Sequence, residues 1–481
     1  MAALAACIGI APAKTRGSDE PLQELRNRLD QALAVPEQPK SVLGAKVIDL
    51  HDGRVLYERK PGEPLIPASN MKLIVMAAVI DQLGTDHRYK TLLAIREGDL
   101  IVIGDGDPTF GDERLSGDRG EPITAVFHRW AVRLKDAGVR QIPGDVVVDD
   151  SIFDRHFVHD NWPANQYQAW YEAPIGGLNF GSNCVSVVVS PNGPTRPATI
   201  TMVPGNTYMQ IENKTGRGSN RKAVVHRKRD SDTLVVSGTA KSKATLGDVT
   251  IRDPGLYFGS VLKTVLAAKQ IKVHGKVVRA RVRLPDGGVP DDCHVIAIHQ
   301  SPIADALERA GKNSLGMAAE GLIKTLGARR SGTGTWPDGI KAVEAFLGKA
   351  GVSRGQFKID DGSGLSRENR LSADATVRVL AHMFRTGGNA FELFRDSLAV
   401  AGVDGTLRNR MKTRDVKGRV FGKTGFINGV RTLAGYVHTE SDHWLAFAFF
   451  HNQARATIPM RQAQDRACRT LVSWSGFDSA E

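Results

Sequence analysis

Leu22, Leu25, Leu29 and Leu33 recur at intervals of three and four between Ser18 and Val35, which predicts an amphipathic first helix. Two short apolar runs follow, Ala45–Leu50 and Val55–Arg59, on either side of Asp52-Gly53. That dipeptide predicts a type I′ hairpin, because both central residues of the turn need positive φ. From Met71 to Leu83 apolar residues fall on almost every face, so a core helix is expected there, stopped by Gly84. Beyond Tyr89 the rhythm changes. Short β-like stretches such as Leu100–Ile103, Gly144–Val148, Val185–Val189 and Thr233–Val236 alternate with Gly, Pro and Asp. Only Pro122–Ala137 and Leu256–Lys269 read as helices within them. Helical spacing returns at Ile303–Ala310, Ala318–Leu326, Ile340–Ala350, Ala373–Thr386 and Ala390–Ser397. A strand pair, Thr432–Val437 and Trp444–Phe450, and a helix from Pro459 to Trp474 close the chain. These changes of character predict a unit made of residues 14–90 and 298–481, interrupted by a β-rich insertion of one or two subdomains, residues 91–297.

A chain of 481 residues exceeds what one hydrophobic core serves, in keeping with more than one domain. No internal run approaches the ~20 apolar residues that cross a bilayer, so no transmembrane segment is expected in the mature chain. The first 13 residues, MAALAACIGIAPA, are apolar and end in Ala11-Pro12-Ala13, an A-x-A cleavage pattern. They read as a truncated export signal, which implies a periplasmic or extracytoplasmic protein. Leu4 to Cys7 also resembles a lipid-acylation box, and a plain Ala-rich terminus is the third reading. Cys184, Cys293 and Cys468 show no metal-ligand spacing; either one Cys184–Cys293 bridge or isolated buried thiols would fit. The formal charge of +12 suits an anionic polymer. Its densest run, Lys214 to Arg229, has no interleaved aromatics for base stacking, so nucleic acid is not an expected partner.

Three short motifs carry the chemistry. Ser69 and Lys72, in Pro67-Ala68-Ser69-Asn70-Met71-Lys72, lie three residues apart at the start of the apolar helix and so share one face. A serine hydroxyl needs a base, and a lysine serves when desolvation keeps its amine neutral. Alone, Ser69 reads as a helix cap. Lys423-Thr424-Gly425 reads as the end of a short strand before a turn at Asn428-Gly429. A fixed cation and a hydroxyl suit a free carboxylate, a glycine lets a substrate backbone approach, and the next amide, on Phe426, can face an oxyanion. Ser314, in Asn313-Ser314-Leu315-Gly316, offers a hydroxyl between helices, or simply caps the next one.

In their order, these motifs resemble the S-x-x-K, S-x-N and K-T-G set of β-lactamases and penicillin-binding proteins. Gly104–Thr109, Ile142–Val146, Asp361–Arg367, Asp404–Arg408 and Gly422–Gly425 narrow the likeness to the class C penicillin-binding proteins, the D-alanyl-D-alanine carboxypeptidase/endopeptidase family. The resemblance implies an α/β (α+β) transpeptidase-like fold, an antiparallel sheet flanked by helices, with an insertion between the first and second motifs. It implies that Ser69 attacks the penultimate D-alanine carbonyl of a peptidoglycan stem peptide, with Lys72 as base. Ser314 would relay a proton to the leaving D-alanine, and Lys423 and Thr424 would hold the terminal carboxylate. The Ser69 and Phe426 amides would form the oxyanion hole, β-lactams would acylate Ser69, and no cofactor or metal is called for. The segments 361–367 and 404–408 would shape the cleft. One departure matters: Gly316 stands where the family has an asparagine that holds the substrate's peptide group and contacts the lysine. A weak or silent wall-binding homologue, or a β-lactamase or esterase, therefore remain as alternatives.

Overall fold

The computed structural model describes residues 20–193, 196–216 and 222–476. Six antiparallel strands form one sheet in the order Ala399–Val400, Val420–Ile427, Val430–His438, Trp444–Asn452, Val42–Asp49, Val55–Arg59. The N-terminal hairpin thus extends the C-terminal strands, in register from Val42 opposite Asn452 to Asp49 opposite Leu445. Both faces of this sheet are covered, which is why Trp444–Asn452 reads as an almost unbroken apolar run. Leu445, Phe447 and Phe449 pack with the helices Glu20–Leu33 and Ile458–Val472. Ala446, Ala448 and Phe450 turn to the other face, against the helices Met71–Leu83, Gly316–Ser331, Trp336–Lys349 and Ala373–Thr386. The Met71 helix is buried from Met71 to Ile80, as its all-round apolar character requires.

The first hairpin differs from expectation. Its connection spans Leu50–Arg54, and Gly53 takes a positive φ of 79° while Asp52 does not, so the turn is not type I′. A bulge between Val47 and Ile48 and hydrogen bonds from Asp49 and Gly53 set its shape instead.

Residues from Arg88 to Pro302 build a second set of sheets. A five-stranded mixed sheet runs Val277–Arg279, Val146–Asp149, Asp99–Ile103, Arg88–Arg96, His294–Pro302. Two three-stranded sheets and the helices Ala125–Asp136 and Pro254–Ala268 complete it around Phe110, Phe127, Trp130, Phe180 and Phe258. One excursion matters for function. The segment from Ser151 to Gly176 leaves this core and crosses to the first, where Phe153, Trp162, Ala173 and Ile175 are buried. It is fastened there by Lys324, whose ammonium donates to Asp154 (2.6 Å) and to the His156 carbonyl (2.6 Å).

Cys184, Cys293 and Cys468 are free, buried thiols, so the Cys184–Cys293 bridge is not formed. Among the described residues no helix is long and apolar enough to cross a membrane. Residues 1–13, with Cys7, and part of the Lys214–Arg229 run lie outside the described residues.

Candidate active site

Ser69 sits in a one-turn 3-10 helix, Ala68–Asn70, that leads directly into the Met71 helix. Its hydroxyl caps nothing: it accepts from the Lys72 amine at 3.1 Å, the i, i+3 contact anticipated from spacing. The turn is strained, because Ala68 holds a φ of 45°, a region that a side chain with Cβ rarely occupies. Neighbours hold it there. Asn70 donates to the Thr432 hydroxyl at 2.5 Å, and that hydroxyl donates to the Pro67 carbonyl at 2.8 Å. On the other side the Asp361–Gly364 turn presses in so closely that a Cβ at Gly364 would lie 1.8 Å from the Ala68 carbonyl oxygen.

Lys72 is buried, and its amine has a second acceptor, the Ser363 carbonyl at 2.6 Å. Burial brings its pKa down to about 8, against the opposing pull of Glu320 and Asp361. About a tenth of the amine is therefore neutral at pH 7, and more above it, which gives the site a lysine base.

The strand Val420–Ile427 brings Lys423 beside this pair. Lys423-Thr424-Gly425 lies within an eight-residue strand rather than at the end of a short one. Lys423 is fully buried and donates to the Ser314 hydroxyl at 2.8 Å and to the Thr424 carbonyl at 2.7 Å. Burial and the nearby Lys72 hold it well below the usual lysine range. Ser314 is thus no helix cap: Leu315 precedes the helix Gly316–Ser331, without a side-chain cap. The neighbouring strand Ala399–Val400 pairs only with Gly422 and Phe421, so the outer edge beyond them is open. The Thr424 carbonyl meets the Lys423 amine there, and residues two apart in a strand present the same edge, so the Phe426 N–H faces it too. Thr424 donates its hydroxyl hydrogen to Thr406, in the 404–408 segment, at 3.0 Å.

Gly425 has a use that spacing did not suggest. A Cβ there would lie 2.0 Å from the Thr432 hydroxyl, 2.9 Å from the Pro67 carbonyl oxygen and 3.0 Å from the Asn70 amide nitrogen. Glycine here leaves room for the protein's own nucleophile turn.

These groups open into a cavity of about 690 Å³. Ser69, Lys72, Ser314, Gly316 and Ser363 lie on its lining with Phe426, which is 57% exposed. The crossing segment supplies another wall, with Pro163, Gln166, Trp170 and Tyr171. At Gly316 a Cβ would stand 3.1 Å from the Tyr171 carbonyl oxygen, so the crossing segment fills the side where a larger residue would begin. The structure brings Ser69, Lys72, Ser314, Lys423, Thr424, Gly425 and Phe426 together in one place. Sequence reading gave no role to Asn70 or the Ser363 carbonyl, although both lie within motifs it singled out, and it missed Thr432 and Glu320.

A family model for the D-Ala-D-Ala carboxypeptidase 3 (S13) family matches residues 25–471. The chain belongs to that family. It is 33% identical over 505 aligned positions to the D-alanyl-D-alanine carboxypeptidase of Actinomadura sp. (strain R39), covering 98% of this chain and 89% of the relative. It is 24% identical to the D-alanyl-D-alanine carboxypeptidase DacB of Haemophilus influenzae, over 84% of each. The crystal structure of penicillin-binding protein 4 (dacB) from Haemophilus influenzae superposes with a TM-score of 0.75 at 23% identity, over 93% of this chain and 99% of that one. The penicillin G-acylated predatory endopeptidase Bd3459 of Bdellovibrio bacteriovorus shares the fold at a TM-score of 0.52 and 16% identity, over 92% of this chain and 95% of that one. The expected penicillin-binding, transpeptidase-like fold and the expected family are both borne out.

Proposed function

We propose that this family member removes the terminal D-alanine from peptidoglycan stem peptides, and opens their cross-links, through an acyl-enzyme on Ser69. The observation that carries this reading is the buried Lys72 amine, 3.1 Å from the Ser69 hydroxyl and held near a pKa of about 8. Neutral Lys72 takes the hydroxyl proton as Ser69 attacks the carbonyl of the penultimate residue. The amides of Ser69 and Phe426 receive the developing oxyanion. Ser314, hydrogen-bonded to Lys423, passes its hydroxyl proton to the departing amine and takes back the one that Lys72 removed from Ser69, which leaves Lys72 neutral again for deacylation. Thr424 and Lys423 take the substrate's terminal carboxylate, whose charge restores the proton that burial disfavours on Lys423. Water then releases the shortened peptide. β-Lactams enter the same path and stop at the acyl-enzyme.

No step calls for a metal or organic cofactor. The reading places the protein where its polymer lies, outside the cytoplasmic membrane. The silent-homologue alternative rests on Gly316, and the second acceptor on Lys72 speaks against it. The β-lactamase alternative needs fast deacylation, and among the described residues that line the cavity no Asp or Glu adds a second base to Lys72 for that water.

The test is release of D-alanine from a pentapeptide ending in D-Ala-D-Ala. The purified protein releases it and Ser69→Ala does not; release that persists in the variant would refute the mechanism.

A further inference from the structure

Behind Lys72 lies a polar cluster that the reaction sketched above leaves unused. Glu320, on the helix Gly316–Ser331, is fully buried. It accepts three N–H bonds: from Ser363 at 2.7 Å, from Gly362 at 3.0 Å and from the Trp336 indole at 2.7 Å. Asp361, also fully buried, accepts from the amides of Gly364 (2.7 Å) and Ser366 (2.7 Å), from Asn369 (2.8 Å) and from the Trp162 indole (2.9 Å). Two carboxylates thus hold one turn from both sides. The product of that clamp is the direction of a single carbonyl, Ser363 C=O, which takes the Lys72 amine at 2.6 Å.

Gly316 gives the cluster its meaning. A family asparagine at this position would place an amide oxygen beside the lysine, and glycine cannot. A carbonyl held by the neighbouring turn is geometrically able to take the same hydrogen.

We propose that Glu320 is a positioning residue for the base: with Asp361 it fixes the Ser363 carbonyl that orients the Lys72 amine in the absence of a side chain at position 316. This inference rests on Lys72 being the base that activates Ser69. The crossing segment takes part through Trp162, whose indole N–H donates to Asp361, and through Asn161, which donates to Asp360.

The arrangement has an electrical signature. The charged groups bearing on Lys72 are Lys423 on its strand, Glu320 on its helix and Asp361 in the turn. Lys324 and Asp154 lie one layer further, with the Lys324 ammonium 4.0 Å from the centre of the Trp336 ring. Burial and the neighbouring Asp361 push the Glu320 carboxyl up, while its three N–H donors favour the ionised form. Its charge favours the protonated lysine, so removing that charge makes Lys72 easier to deprotonate.

The experiment is the rate of acylation by a fluorescent penicillin from pH 5.5 to 10, for wild type, Glu320→Gln, Glu320→Asp and Trp336→Phe, each checked by thermal melting. In Glu320→Gln the midpoint of the rising limb moves about 1 pH unit towards acid, because an opposite charge is lost near the lysine. Its high-pH plateau falls about tenfold, because an amide cannot accept all three bonds and the carbonyl loses its aim. Glu320→Asp keeps the charge and brings the midpoint back towards wild type. Trp336→Phe, which leaves Glu320 in place and removes one donor, moves the midpoint in the same direction by less. Should Glu320→Gln fail to fold, Trp336→Phe carries the test. An unmoved midpoint in the folded variants, with wild type acylated normally, overturns the inference and leaves the proposed function standing. Wild type that is never acylated overturns the proposed function itself.

Discussion

Replacing Gly425 by alanine should disable the site without removing any proposed reactive group. The built Cβ would lie 2.0 Å from the Thr432 hydroxyl and 2.9 Å from the Pro67 carbonyl oxygen. Ordinary carbon–oxygen contacts begin near about 3.3 Å, so the deficit at Thr432 is about 1.3 Å. Thr432 cannot swing clear without losing its bonds to Asn70 and Pro67, which pin the nucleophile turn. The strand must then back away by about 1 Å, carrying the Phe426 amide and the Lys423–Thr424 pair with it. A displacement of about 1 Å at a catalytic site costs about 10²-fold, and loss of one oxyanion donor costs ~10²–10³. We expect kcat/KM for D-alanine release to fall about 10²-fold, or ~2.7 kcal/mol of transition-state stabilisation. The crowding itself costs ~1–3 kcal/mol of stability, a shift of a few degrees in Tm. Gly422→Ala is the control: in the same strand its Cβ meets nothing closer than the Leu433 methyl at 3.3 Å, and activity should stay within a few-fold. Gly425→Ala with activity within threefold of wild type would refute the claim that strand and nucleophile turn are in register through this contact.

Other expectations follow from the buried groups. Lys72, brought down to about 8, should make acylation by penicillin rise about tenfold between pH 7 and pH 9 as the neutral amine accumulates; Lys72→Arg, which cannot be neutral, should lose the limb, and a flat wild-type profile would count against the lysine as base. Glu172, buried with one oxygen unpartnered, is pushed up to about 7 by desolvation. Its folded pKa lies above the unfolded value, so its contribution to stability is intact in acid and declines as pH rises through about 7. Glu172→Gln should therefore raise Tm by a few degrees at pH 8 and not at pH 4.5; an equal change at both would show that the carboxyl's charge is not the cause.

What the sequence disclosed and what it hid divide along physical lines. The Met71–Leu83 helix is legible to the residue because its composition demands burial on every side and Gly84 ends it. Ser69 and Lys72 are legible because i, i+3 spacing is a property of the helix itself. The pairing of Val42–Asp49 with Trp444–Asn452 joins residues about 400 positions apart, and no local rule encodes it. The same holds for Trp162 and Asp361, which meet across 199 residues. The Ser363 and Tyr171 carbonyls are harder still, since every residue carries that group and only the fold selects which one is used. Asp361–Arg367 read from sequence as a segment that shapes the cleft; in the structure it also supplies the second acceptor for Lys72. Gly425 shows the converse: spacing singled it out for the substrate's approach, and only the fold reveals a second reason for glycine, the room taken by Thr432 and Pro67.

The central claim is that Ser69 forms the acyl-enzyme despite glycine at position 316. Incubating the purified protein with penicillin and measuring its intact mass, followed by peptide mapping, tests it directly. The account predicts one adduct per chain, on the peptide containing Ser69, and none in Ser69→Ala. A folded wild-type protein that gains no mass, or an adduct that survives in Ser69→Ala, would contradict it.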